Sequence, residues 1–511
     1  MYRVLICVCL FSIISFAQER PNIIILMADD VGYSDIGCFG GEIKTPNLDS
    51  LAAGGLRFTN FYSENMCWVS RASLLTGSYH KASLAKGGIH PAAVTIPEAL
   101  KPLNYKTYIT GKWHLGGKTF PGPLDRGFDH FYGILDGAAS FFAPHELTRD
   151  RKKIEEEFKD PNYYFTNAIS DNAVRWIKET DKEKPVFLYA AYTAAHWPLH
   201  AFEKDINKYK GLYAKGWDKI REERFERMQK MKLLPENSKL TPRHPEVKAW
   251  EDAENKEWEQ RRMEVYAAQL TVMDEGIGRI VQALKDSGRY ENSLIFFTID
   301  NGGCHVEYPK DRKGSYLPLK TRDGKEMFPG NIPGLMPGPE NTYQSYGISW
   351  ANMSNTPFRF FKKYDHEGGI RTPMIAHWPA KIKNKGEMVR RPTHLVDIMP
   401  TILDITEAGL PEQSHGKKPM PFDGMSIKKA LLGEEGQLEH KSIFFYHASG
   451  KALRKGNWKL VAVTKKKWEL YNLADDPVEM NDLAAKMPEK LKEMIAEWES
   501  ISAEMIRKNK L

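Results

Sequence analysis

The chain has 511 residues, 41% of them hydrophobic and 27% charged, with 39 Gly and 30 Pro, which excludes disordered, collagenous and coiled-coil classes. Lys and Arg number 73 against 66 Asp and Glu, a net charge of +7. That excess suits an acidic substrate, but no basic block is long enough to act as a nucleic-acid arm. Five Cys are too few for a disulfide framework, and a core of this size needs none.

The first residues read as an address. Met1-Tyr2-Arg3 gives a positive start, Val4 to Phe16 is apolar, and Ser15-Phe16-Ala17 resembles a small-x-small cleavage site. Residues 1–17 are therefore expected to be a cleaved secretory signal, too short for a membrane span, and the mature protein to be periplasmic or secreted. Cleavage would remove Cys7 and Cys9 and leave Cys38, Cys67 and Cys304. Whether Cys38 and Cys304 pair is a question of geometry that the sequence leaves open.

Four apolar runs follow, each stopping at polar residues with catalytic chemistry. Asn22 to Met27 ends in Ala28-Asp29-Asp30, and Lys106 to Thr110 ends in Gly111-Lys112-Trp113-His114. Val186 to Tyr192 ends in Thr193-Ala194-Ala195-His196, and Leu294 to Ile299 ends in Asp300-Asn301-Gly302-Gly303. Apolar runs without alternation predict parallel strands buried on both faces. A helical stripe at Leu270, Met273, Ile277, Ile280, Val281 and Leu284 lies between two of them. The alternation predicts a large, doubly wound, mostly parallel α/β domain over residues 18–425, with ligands bound beyond the strands' carboxyl ends.

Two stretches read as insertions. Ala201 to Arg262 is densely charged, as a solvated helical face would be, and carries Trp217, Trp250 and Trp258. Gly302 to Asn355 is rich in Gly and Pro and long for a connection, which favours a functional loop. Residues 426–511 predict a smaller C-terminal subdomain. Short antiparallel strands are expected around Ile443, Trp458 and Trp468, then a helix on the stripe Leu491, Met494, Ile495, Trp498.

Asp29, Asp30, Asp300 and Asn301 offer only oxygen ligands, which suit a hard cation such as Ca²⁺ or Mg²⁺. Each pair is equally at home in a turn or helix cap. Cys67 to Gly77 predicts a short helix closed by Gly77, with Cys67 beside Arg71 at its N-terminus. Lys112, His114, His196 and Lys362 add cations and titratable imidazoles, the parts needed to expel an alkoxide or phenoxide from an anionic ester.

In this order the motifs resemble those of the type I formylglycine-dependent sulfatases, arylsulfatase-like members of the alkaline-phosphatase-like superfamily. Pro21 to Gly32 resembles the opening strand and metal pair, Cys67 to Gly77 the modification signature, and Gly111 to Gly116 the Lys/His loop. Asp300-Asn301-Gly302 resembles the second metal pair, and His366 to Pro373 the segment after the last lysine. The resemblance implies oxidation of Cys67 to formylglycine (3-oxoalanine) by a formylglycine-generating maturation enzyme. It implies one Ca²⁺ held by Asp29, Asp30, Asp300, Asn301 and the modified Cys67.

It further implies that Asp300 accepts the nucleophile's proton, Arg71 orients the hydrate, and Lys112 and Lys362 bind sulfate. His196 would protonate the leaving alcohol, and His114 would help expel sulfate. Lys362 is favoured over Lys363 because it stands five residues before Glu367. Val69 departs from the Pro or Ala usual in the signature, which bears on how efficiently Cys67 is converted. The implied reaction is exo-acting hydrolysis of a sulfated carbohydrate during polysaccharide degradation. Trp113, Trp197, His305, Trp350 and His447 are candidates for sugar contacts, each against a competing reading as core or surface. Two other functions stay open: a catalytically silent binder of sulfated glycans with Cys67 unmodified, and a phospho- or phosphonate-monoester hydrolase on the same fold.

Overall fold

The computed structural model describes residues 20–116, 121–312, 314, 316–436 and 439–511. The expected signal at 1–17 lies outside them. The principal strands are β1 (Asn22–Ala28), β2 (Leu56–Tyr62), β3 (Lys106–Lys112), β4 (His130–Ile134), β5 (Val186–Ala191), β6 (Ser293–Ile299) and β7 (Arg371–His377). They lie in the order β2-β7-β6-β1-β5-β3-β4 within an eleven-stranded sheet completed by short edge strands. β6, β1, β5, β3 and β4 are mutually parallel, and β7 runs antiparallel to both β6 and β2.

Burial on both faces explains the unbroken apolar runs. In β1, Ile24, Leu26 and Ala28 enter one core while Ile23, Ile25 and Met27 enter the other. Among the helices are α1 (Cys67–Thr76), α2 (Phe165–Glu179), α3 (Gly216–Lys230), α4 (Lys256–Asp286), α5 (Gly347–Ser354), α6 (Ile398–Thr406) and α7 (Pro488–Lys508). Ile169 and Ile177 of α2 and Leu270, Met273 and Ile277 of α4 fill the first core. Leu74 and Leu75 of α1, Ile402 of α6 and Met494 of α7 fill the second. Each such side chain contributes roughly 1.5–3 kcal/mol by leaving water.

The charged insertion differs from a solvated face. The inner side of α3 buries Trp217, Ile220, Arg224 and Met228, and Trp217 packs edge-on against Trp250 and Trp350 at 4.7 and 5.4 Å. Arg224 is fully buried, 2.6 Å from Asp35 and 2.7 Å from Glu42. Alternating apolar and charged residues thus anchor the insertion from within. The long Gly- and Pro-rich connection is likewise structured in part, since it contains α5 and the parallel pair Phe328–Pro329 and Thr342–Tyr343.

The C-terminal segment forms a separate antiparallel sheet of β8 (Ile443–His447), β9 (Gly450–Lys455), β10 (Trp458–Val463) and β11 (Glu469–Asn472), followed by α7. Phe444, Leu453, Leu460 and Leu470 continue the second core of the large sheet. Between the two sheets, Lys459 Nζ is fully buried, 2.8 Å from Glu367 and 3.3 Å from Glu479. Among the described residues no helix is long and apolar enough to cross a membrane.

Candidate active site

The four strand ends converge. Asp29 and Asp30 follow β1, Lys112 closes β3 with His114 just beyond, His196 follows β5, and Asp300 and Asn301 follow β6. Parallel strands carry their carboxyl ends to one edge, which is why residues so far apart in sequence share one site. Asp30 and His114 are both left-handed, with φ of 60° and 58°, a conformation that costs a non-glycine residue energy and concentrates at functional positions.

Cys67 opens α1 and is the focus of the cluster. Its Sγ lies 3.4 Å from Asp29 Oδ1, 3.8 Å from Asp30 Oδ1 and 3.1 Å from Lys362 Nζ. Lys362 also donates to Asp30 Oδ1 at 2.6 Å, and Lys112 to Asp29 Oδ2 at 2.5 Å. One turn along α1, Arg71 reaches Asp300 Oδ2 at 3.0 Å and Asp29 Oδ2 at 3.3 Å, and donates to the Lys112 carbonyl at 2.9 Å. Asn301 Nδ2 donates to Asp30 Oδ1 at 2.7 Å, and the Asp30 amide to Asp300 Oδ1 at 3.3 Å. His196 places Nε2 3.4 Å from Asp30 Oδ2, with Nδ1 2.7 Å from the Trp197 carbonyl. That carbonyl can only accept, so Nδ1 carries the proton and Nε2 faces the cluster. All these residues except the half-buried His114 are buried.

Two residues that the sequence does not single out support them. Ser70 Oγ accepts from the Glu64 amide and donates to the Asp300 carbonyl, tying α1 to the end of β6. Tyr189 of β5 accepts from Arg71 at 3.5 Å. A hydroxyl one position before the key Arg is the only signal the sequence carries for Ser70.

Three carboxylates thus face three cations in a site closed to water. Burial pushes both Asp29 and Asp30 up, but Lys112, His196, Arg71 and Lys362 hold Asp29 well below the ordinary carboxylate range, and Lys362 and His196 hold Asp30 below it. Burial and the Asp29 charge push Asp300 up instead. Burial, with Asp29 and Asp300 alongside, pushes the Cys67 thiol far up, so it is a poor thiolate nucleophile. His196 and His114 are both pushed down by burial first, His196 to about 4.

The oxygen donors of Asp29, Asp30 and Asn301 suit a hard cation, and position 67 suits one once an oxygen group replaces its thiol. Ligand atoms of Asp29, Asp30, Cys67 and His196 lie within 4.8 Å of one another. Asp30 Oδ2 and Asn301 Oδ1 are buried with no hydrogen-bond partner, a cost that a cation would relieve. Asp300 is outside that group of four but is bonded to it through the Asp30 amide and Arg71. A divalent ion added to this balanced cluster leaves an excess of positive charge for an anionic ester.

The expected sugar-contact residues divide. Trp113 and Trp350 are fully buried, Trp350 with Nε1 bonded to Glu259, so both belong to the core. Their aromatic character alone gave no means of telling core from rim. Trp197 lies beside His196 with ring centroids 4.3 Å apart. His305 stacks on Phe361 at 4.5 Å. His447 arrives from the C-terminal sheet to pack edge-on against Trp68 at 5.2 Å, and Trp68 in turn meets His114 at 5.6 Å. Cys38, Cys67 and Cys304 are all buried and free, so no bridge joins Cys38 to Cys304. Lys363, next to Lys362, is exposed, and its amide donates to the Asn65 carbonyl.

The sulfatase family profile matches residues 21–408, and that of the N-sulphoglucosamine sulphohydrolase C-terminal region matches residues 357–504. An uncharacterized sulfatase of Schizosaccharomyces pombe is 32% identical, over 95% of this chain and 94% of its own. The arylsulfatase of Klebsiella aerogenes is 33% identical, over 80% of this chain and 92% of its own. Among solved structures, Ps i-CgsB is 26% identical with a TM-score of 0.67, covering 94% of this chain and 93% of that one, and has also been solved in complex with k-i-k-neocarrahexaose. With a buried acid, lysine and arginine cluster at the strand ends and these relatives along nearly its whole length, the chain belongs to the sulfatase family and is a sulfuric ester hydrolase.

Proposed function

We propose that the protein removes sulfate from a sulfated carbohydrate in exo fashion, using formylglycine at position 67 and one Ca²⁺ held by Asp29, Asp30, Asp300 and Asn301. The convergence of Asp29, Asp30 and Lys362 on Cys67 carries this reading. Formylglycine would supply the nucleophilic oxygen, and Ca²⁺ would neutralise charge on the sulfate.

The chain's own groups do the rest. Lys112 and Lys362 reach into the centre from opposite carboxylates, Asp29 and Asp30, and are placed to bind sulfate oxygens where charge develops. Arg71 bridges Asp29 and Asp300 and fixes both relative to α1. Asp300, with its affinity for protons raised by burial, is suited to hold a proton at a carboxylate oxygen. His196 presents the unprotonated Nε2 toward the cluster, where it can take up a proton as imidazolium beside Asp30 and then hand it to the leaving oxygen, while His114 serves the release of sulfate. A carbohydrate substrate is supported by the neocarrahexaose complex of the solved relative. Export to the periplasm or medium is part of the reading, on the strength of the charged and apolar pattern of residues 1–17.

The test is sulfate release, first from 4-nitrophenyl sulfate and then from a panel of sulfated sugars. The protein is co-expressed with a maturation enzyme and assayed beside Cys67→Ala. Release that disappears in C67A supports the proposal. Equal release from C67A, or release of phosphate and not sulfate from the matching esters, overturns it.

A further inference from the structure

Trp197 does not offer a bare ring to a sugar. Arg312 lies over it with the guanidinium carbon 5.1 Å from the ring centroid, and 5.2 Å from that of Tyr308. Tyr308, Tyr316 and Tyr343 pack around the same indole at 5.0, 5.6 and 6.1 Å. Tyr308 and Tyr343 are themselves buried, so this aromatic bed is firm. Arg312 donates from Nε to Tyr316 Oη at 2.8 Å, which sets the plane of its fork. Its two terminal nitrogens have no carboxylate within ion-pair distance among the described residues, and the side chain is half-buried. A guanidinium held against aromatic rings, oriented by one hydrogen bond and left unneutralised, is a ready oxyanion receptor.

Its place decides which oxyanion. Arg312 is one ring removed from His196, since the Trp197 ring lies 4.3 Å from the His196 ring and 5.1 Å from the Arg312 guanidinium carbon. His196 faces the leaving-group oxygen under the function proposed above, on which this inference rests. We infer that Arg312 is a specificity-determining residue that binds a second sulfate group, carried on the leaving-group side of a multiply sulfated carbohydrate. Trp197 is then the platform for Arg312, not for the sugar.

The test compares binding of two disaccharides by calorimetry to the full chain, one sulfated only on its terminal sugar and one sulfated on both. The inference expects the doubly sulfated probe to bind about tenfold or more tightly, as one added charge-assisted bidentate contact allows. Arg312→Gln brings the ratio close to one. Arg312→Lys, which keeps the charge but not the fork, gives an intermediate ratio and serves if R312Q does not fold. A wild-type ratio near one, or a ratio unchanged in R312Q or R312K, overturns the inference. Turnover separates this from the proposed reaction: an Arg312-dependent ratio in a protein that releases no sulfate sinks the reaction alone, and turnover without that ratio sinks this assignment alone.

Discussion

Replacing Lys362 by Met tests the centre of the site, because the side chain serves two partners at once. Nζ lies 2.6 Å from Asp30 Oδ1 and 3.1 Å from Cys67 Sγ, and the residue is only 5% exposed. Met keeps most of the stem and its packing, so the lost quantity is the ammonium. In the transition state that ammonium is worth as much as an oxyanion-hole donor, a loss of about 10²–10³ in kcat or roughly 2.7–4 kcal/mol. In the resting protein the same change leaves the buried Asp30 carboxylate beside Asn301, His196 and the Cys67 thiol, without its lysine partner. Uncoupling a buried ion pair in this way costs about 3–5 kcal/mol. An added Ca²⁺ should repair the second defect and not the first, since it can neutralise Asp30 but cannot donate a hydrogen bond.

Purified K362M and wild type would be compared for release of 4-nitrophenolate, and for unfolding with and without Ca²⁺. The expected pattern is a lower unfolding midpoint that Ca²⁺ raises more than in wild type, with activity still low. Lys363→Met is the control, since that side chain is exposed, and its turnover should stay within about threefold of wild type, as for surface positions generally. Wild-type activity in K362M, or a collapse confined to K363M, would refute the assignment.

Other outcomes follow from the same geometry. Lys459→Met removes the buried ammonium that Glu367 and Glu479 share between the two sheets, leaving Glu367 with Arg371 at 3.4 Å, and should cost about 3–5 kcal/mol in urea unfolding at pH 7. Burial pushes Glu367 up, but Lys459, Arg371 and Arg454 hold it at about 2 against 4.5 unfolded. Its contribution is therefore complete above pH 4.5 and fades as pH falls toward 2, so the gap between wild type and K459M should narrow over that window. A Cβ on Gly137 would meet His114 Nε2 at 2.5 Å, so Gly137→Ala should displace that imidazole. Turnover should then fall about tenfold, with about 1–3 kcal/mol lost to overpacking, and a normal rate would remove His114 from the mechanism. Chelation of Ca²⁺ should abolish turnover and lower the unfolding free energy by roughly 2.7 kcal/mol, as expected for loss of a ligand present at about a hundred times its dissociation constant, with a matching fall in melting temperature.

Much of this was legible in the chain because parallel strands buried on both sides leave long apolar words, and each word here ends at the edge where chemistry happens. Asn22–Met27 and Leu294–Ile299 announced themselves in that way, and so did their acidic ends. β2 and β7 did not. Leu56–Tyr62 mixes Arg57 and Asn60 into its run, and Arg371–His377 contains Pro373, so neither reads as a central strand. β7 nevertheless lies between β6 and β2, and its antiparallel course is fixed by pairing that no local pattern encodes. β9 was hidden for a similar reason, since Lys451 and Arg454 interrupt its apolar positions. Within the site, the residue types pointed to oxygen ligands and an anionic substrate. That Arg71 joins Asp29 to Asp300, and that Ser70 fastens α1 beneath them, depends on how the helix docks. Whether Trp113, Trp197 or Trp350 faced solvent likewise depended on the packing around each ring.

The central claim is that position 67 carries an aldehyde and not a thiol, and the mass of the tryptic peptide Phe58–Arg71 measures it. Protein made alongside its maturation enzyme should show the aldehyde mass at Cys67 despite Val69, in proportion to its rate of sulfate release. An unmodified thiol throughout, in protein that still releases sulfate, would contradict the account.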